Sequence, residues 1–102
     1  MKTVLSKITI VSERLLKDDI IDLIKDTGAT GFTLSAVEGE GSRGVRAGDW
    51  EGRNVMTENL VSETTAHRIL MALNERFMEN YAVAAWVTEV TVLRGDKFLG
   101  ER

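Results

Sequence analysis

Apolar positions along this chain change their period several times, and each change marks an element. Lys7-Ile8-Thr9-Ile10-Val11 alternates polar and apolar side chains and is rich in β-branched types, the pattern of a half-buried strand. Leu16, Ile20, Leu23, Ile24 and Thr27 then recur at helical spacing. Asp18 and Asp19 stand early in that helix, where its dipole favours carboxylates, and Gly28 supplies the stop. Gly31-Phe32-Thr33-Leu34-Ser35-Ala36-Val37 returns to period two as a second strand. Asn54 to Val61 reads as a weaker third strand, with Val55, Met56, Leu60 and Val61 shared between its faces. A second helix follows, with Ser62 as N-cap, Glu63 in the first turn, and Ala66, Ile69, Leu70, Leu73 and Phe77 on one stripe. Ala84 to Leu93 reads as a long fourth strand.

Two strand-helix-strand units in succession predict an α+β domain of ferredoxin-like βαββαβ order. Its four-stranded antiparallel sheet would carry both helices on one face. Proline is absent, so nothing breaks these elements, and residues 1–102 form a single domain. The sheet face away from the helices then needs cover. Trp86 and the valines of the last strand either supply a second apolar face or lie in the ordinary core beneath the helices. The first alternative favours association, and the expectation is a homo-oligomer.

Composition narrows the function classes. With 102 residues, 43% of them hydrophobic, the chain has room for one core. A formal charge of -3 argues against a broad nucleic-acid footprint, as do only three Phe, one Tyr and two Trp against an RNA-reading sheet. There is no cysteine for disulfide or thiolate chemistry. No apolar run approaches the roughly 20 residues of a membrane span, and the first residues lack a signal peptide's apolar region, so the expected location is the cytoplasm. His67 is the sole histidine and has no cysteine or second histidine for a metal site.

The candidate chemistry lies in Gly39-Glu40-Gly41-Ser42-Arg43-Gly44-Val45-Arg46. Glycines here allow the backbone to turn its N–H groups inward, a concavity suited to an anion, while Arg43 and Arg46 add planar forks matched to phosphate oxygens. A solvated loop whose glycines serve only turns is the competing reading. Gly39, Gly41 and Gly44 fit the letters of a dinucleotide fingerprint. The helix that fingerprint needs does not follow, since Val45 to Arg53 lacks a 3.6-residue period, and no Walker lysine is present. A phosphate would be held by the loop itself. At its expected tip, Trp50 is an anchor for a partner or folds back on its own domain.

Taken in order, Lys7-Ile8-Thr9-Ile10-Val11-Ser12-Glu13, Gly28-Ala29-Thr30-Gly31-Phe32-Thr33, Gly41-Ser42-Arg43-Gly44-Val45-Arg46, Tyr81-Ala82, Glu89 and Val92-Leu93 resemble the PII-like signalling proteins. The similarity covers nearly the whole chain and lies with the SbtB and carboxysome-associated PII groups. It implies a homotrimer that binds an adenine nucleotide in clefts between subunits and controls a protein partner through a long T-loop, here at about 39–53. By position, the resemblance gives nucleotide-binding roles to Gly39, Gly41, Ser42, Arg43 and Arg46 at the loop base, to Thr33 and Leu60 beside the base or ribose, and to Val83 where main-chain groups read adenine. Trp50 and Arg53 fall in the partner-binding loop.

The triphosphate-gripping lysine and arginines of classical PII proteins are not matched, which points to ADP, AMP or cyclic AMP in preference to ATP. Glu40 stands where sequences of the SbtB group often carry lysine, and it either brings a negative charge close to the phosphate or faces solvent. The short loop favours the carboxysome-associated group, and with it bicarbonate as a second effector and a bicarbonate transporter or carboxysome-related protein as partner. A cysteine-bearing redox loop is not expected after Phe98-Leu99-Gly100. The chain is thus read as a regulator of inorganic-carbon metabolism, not an enzyme, with no required cofactor and no metal. The alternative is a small acylphosphatase-like hydrolase of the same fold, using Asn54, Asn59, Asn74 or Asn80 to orient water. Glu58 and Glu89 are carboxylates within strands, where a partner or an interface is expected.

Overall fold

A computed structural model describes residues 2–38 and 54–99. The elements run β1 (Lys2–Glu13), the 3-10 turn η1 (Arg14–Leu16), α1 (Lys17–Thr27), β2 (Thr33–Val37), β3 (Asn54–Val61), α2 (Glu63–Arg76), β4 (Val83–Leu93) and the 3-10 turn η2 (Gly95–Phe98). They form one antiparallel sheet in the order β2-β3-β1-β4, the ferredoxin-like arrangement expected from the sequence.

β1 is one of the two inner strands and pairs along both edges. It meets β3 from Ser6↔Val61 to Glu13↔Asn54 and β4 from Lys2↔Leu93 to Ser12↔Val83. The strand starts well before Lys7, where the sequence pattern places it, because β4 is long enough to pair with the preceding residues. β2 is shorter than its pattern: pairing begins at Thr33↔Glu58. Its expected first residue, Gly31, has its carbonyl taken by the Asn59 side chain, whose Nδ2 donates to it at 2.7 Å.

Cross-strand register sorts the side chains by face. Ile8 and Ile10 of β1 and Val61 of β3 turn toward the helices and pack with Leu16, Ile20, Leu23 and Ile24 from η1 and α1 and with Ala66, Ile69, Leu73 and Phe77 from α2. This cluster is the core, and burial of its apolar area is the main favourable term of the fold. In β3 burial alternates strictly, so Val55, Thr57, Asn59 and Val61 share the covered face while Met56, Glu58 and Leu60 share the other.

Helix ends follow local chemistry. The Ser62 hydroxyl accepts the Thr65 N–H at 3.1 Å and so caps one of the N–H groups that the first turn of α2 leaves unpaired. Ser62→Ala is expected to cost about 0.5–2 kcal/mol, read as a lower midpoint in chemical denaturation with unchanged slope. At the end of α1, Gly28 takes φ 123°, which a side chain would strain, and its N–H and that of Ala29 close the last carbonyls of the helix.

The sheet face away from the helices is largely uncovered by the described residues. Trp86 is 47% exposed there, and Val11, Met56, Leu60, Val90 and Val92 are half-buried on the same face. Trp86 is therefore not part of the core beneath the helices. η2 folds back onto this face, with Gly95 against Thr3 of β1, and Leu5 next along the same face is buried outside the helix-side cluster.

Candidate functional site

One cross-sheet row on the open face runs Thr33 (β2), Glu58 (β3), Thr9 (β1), Trp86 (β4), since each is the register partner of the next. Lys7 and Leu60 pair in the adjacent row. A cleft of about 440 Å³ opens at the β2–β3 side of these rows, within the range of small-molecule sites. Thr33 and Leu60, both named from the sequence, line it together.

Its walls combine apolar surface with a few polar groups. Phe32, Leu60 and Phe98 supply the apolar part. Lys7 and Lys97 bring ammonium groups, and Glu58 a carboxylate that pairs with Lys7 at 3.2 Å. About a third of each charged side chain is exposed, so water screens the pair and it contributes about 0–1 kcal/mol to stability. Its larger consequence is a cation and an anion fixed side by side in the lining. That is the partner of Glu58 the sequence could not name. Thr30 and Thr33 add hydroxyls at the rim. The combination suits a ligand with an apolar ring face, polar edges and an anionic group.

Two tethers shape the surroundings. Asn59 is buried, and its bond to the Gly31 carbonyl fixes the turn that carries Thr30 and Phe32 into the cleft. Its Nδ2 is committed in this way, while its buried Oδ1 has no hydrogen-bond partner among the described residues. At the far end of β1, Glu13 Oε2 accepts the Ala82 N–H at 3.2 Å and ties the segment before β4 to the sheet. Val83 follows as the first residue of β4. It pairs with Ser12 and packs against the helix-side core, so it does not line the cleft with Thr33 and Leu60. Glu89 is exposed on β4, and His67 is exposed on α2. No group of metal-ligating side chains occurs among the described residues.

Gly39, Glu40, Gly41, Ser42, Arg43, Arg46, Trp50 and Arg53, with the whole expected T-loop, lie outside the described residues. The residues on either side of that segment are in place, because Val37 at the end of β2 is the register partner of Asn54 at the start of β3. Sequence reasoning missed Lys7, Lys97 and Phe98. Lys7 carried a signal of a kind, as a cation in an otherwise apolar-alternating strand. Lys97 and Phe98 carried none, since they reach the cleft only through the fold-back of η2.

Residues 5–97 match the model of the family described as nitrogen regulatory protein P-II. The chain belongs to the P-II family. Among solved structures, a PII-like signalling protein from Thermus thermophilus is 45% identical, with a TM-score of 0.85 over 96% of this chain and 98% of that one. CPII from Thiomonas intermedia, in its structure with ADP and bicarbonate, is 26% identical with a TM-score of 0.83, covering 96% of this chain and 97% of that one. The same CPII bound to ADP, AMP and acetate, at 24% identity and a TM-score of 0.84 over 97% and 98% of the two chains, supports the fold. Membership in the P-II family makes this a signalling-protein domain. No helix among its described residues is long and apolar enough to cross a membrane.

Proposed function

We propose that this chain is a PII-like signal-transduction protein that binds ADP or AMP at clefts between the protomers of a homotrimer and acts on a protein partner through residues 39–53. The observation that carries the reading is the cleft beside β2 and β3. In a P-II family chain, it joins two of the three nucleotide positions named from sequence in the sheet, Thr33 and Leu60, with aromatic walls and ammonium groups. Trimer formation is supported by the open sheet face, where Trp86 and the half-buried residues around it are left uncovered by the other described residues. The phosphate falls to Arg43 and Arg46 with the main chain of Gly39, Gly41 and Ser42, and the base to the cleft and, from a neighbouring protomer, to backbone near Val83. Trp50 and Arg53 are assigned to partner contact.

Bicarbonate as a second effector is supported by the CPII structure that holds it together with ADP. Regulation of inorganic-carbon metabolism, a bicarbonate transporter or carboxysome-related partner, cytoplasmic location and the absence of enzymatic turnover complete the proposal. Cyclic AMP is a further candidate ligand. A ligand can switch the loop only by binding one of its states better than another. Calorimetric titration with ADP, AMP, ATP and cyclic AMP, each with and without bicarbonate, tests the reading. ADP or AMP is expected to bind at micromolar level, about -8.2 kcal/mol, and to be recovered unchanged. Absence of binding by every adenine nucleotide would overturn the proposal.

A further inference from the structure

β1 and β4 run side by side as far as Ser12↔Val83, and there the ladder ends. The next rung would join Glu13 to Ala82. Glu13 is still extended, φ -64° and ψ 146°, but the chain turns after it into η1, so β1 pairs no further with β4. The Glu13 side chain takes the place of that rung, its Oε2 accepting the Ala82 N–H at 3.2 Å from a position 69 residues earlier. Among the described residues it is the one side-chain hydrogen bond that reaches the segment between α2 and β4. The start of that segment is held differently. Asn80 and Tyr81 donate their N–H groups to the Phe77 carbonyl at 3.3 and 3.0 Å, and the Tyr81 ring meets the buried Phe77 ring edge-on, with 6.1 Å between centroids. Phe77 therefore fixes where the segment leaves α2, and Glu13 fixes how it enters β4.

Ala82 and Val83 have no polar side-chain atoms, so discrimination at this place falls to their main chain. Adenine presents an amino donor beside a ring-nitrogen acceptor, whereas guanine presents a carbonyl acceptor beside an N–H donor. A peptide N–H and C=O held in one direction pair with the first edge and are left unpaired by the second. A segment free to rotate loses that distinction. We propose that Glu13 is a positioning residue for base recognition: its carboxylate, in place of the missing rung, holds the main chain of Ala82 and Val83 in the direction that separates adenine from guanine. This rests on the nucleotide reading above, in which that main chain serves the cleft of a neighbouring protomer. Glu13 touches no nucleotide itself. It supplies an acceptor oxygen at a set reach, which glutamine keeps and aspartate, one methylene shorter, does not.

The test is calorimetric titration of the full chain with ADP and with GDP, compared among the unaltered protein, Glu13→Ala, Glu13→Asp and Glu13→Gln, with sedimentation to establish the oligomer of each. The unaltered chain is expected to prefer ADP. Glu13→Ala and Glu13→Asp should weaken ADP by roughly ten-fold, on the scale of one hydrogen bond to a charged group, and GDP much less, so that the preference shrinks. Glu13→Gln should recover most of it. Arg46→Ala, acting on phosphates common to both ligands, should lower both affinities and leave their ratio. A tether that served the fold alone would lower the denaturation midpoint of Glu13→Ala without moving the ratio. An ADP-to-GDP ratio unchanged in Glu13→Ala and Glu13→Asp, or a loss in Glu13→Gln as deep as in Glu13→Ala, overturns the positioning role, while ADP binding by the unaltered chain upholds the nucleotide reading. Equal affinity of the unaltered chain for ADP and GDP overturns the positioning role as well, and binding of no adenine nucleotide removes both.

Discussion

Arg46→Ala should weaken ADP and AMP binding by ten-fold or more while leaving the fold and the oligomer unchanged. A charge-assisted hydrogen bond contributes about 1.5–3 kcal/mol, and about 1.4 kcal/mol corresponds to a factor of ten in affinity. Loss of a guanidinium fork from the nucleotide phosphate therefore shows clearly in calorimetry. Arg46→Lys should recover part of the loss, since a lysine keeps the charge but not the planar pair of donors. Arg53→Ala, in the same loop but assigned to partner contact, should leave nucleotide affinity as it was. Equal affinities for Arg46→Ala and the unaltered chain would remove the phosphate role of this arginine.

The largest effect on stability is expected at Leu73. Its side chain is fully buried in the helix-side cluster, between α2 and the sheet. Leu73→Ala removes apolar contacts and leaves a cavity that the packed neighbours fill only in part, for a cost of about 2–5 kcal/mol. Against a total of about 5–15 kcal/mol for a domain of this kind, that is a large share. Met71, two residues earlier on the same helix, is 51% exposed, and Met71→Ala should stay within about 0.5 kcal/mol. Chemical denaturation at fixed protomer concentration compares the two, since association adds to apparent stability. Equal midpoints for the two variants would mean that the cluster is not the stabilising core.

The fold was legible in the sequence wherever a pattern repeats locally. Alternation at Ile8 and Ile10, the helical stripe from Ala66 to Phe77 and the cap at Ser62 each depend on neighbours a few residues away, and the structure has them all. Boundaries set by distant partners were not legible. The early start of β1 follows from the length of β4, and the late start of β2 from a bond between Asn59 and Gly31, 28 positions apart. The site divides in the same way. Thr33 and Leu60 came from a resemblance and meet in one cleft. Lys7 and Glu58 are brought side by side by the register of β1 against β3, which periodicity does not specify. Phe98 depends on the contact of Gly95 with Thr3, at opposite ends of the chain.

The pairing of Val37 with Asn54 has a consequence for how such a protein can diversify. A single rung of the ladder clamps both feet of the intervening segment. Closing a longer segment between fixed ends costs little more, about 0.6 kcal/mol per doubling of its length. On the role proposed for residues 39–53, new targets can therefore be acquired by rewriting the part that carries Trp50 and Arg53, leaving the scaffold and the proposed phosphate-binding residues untouched.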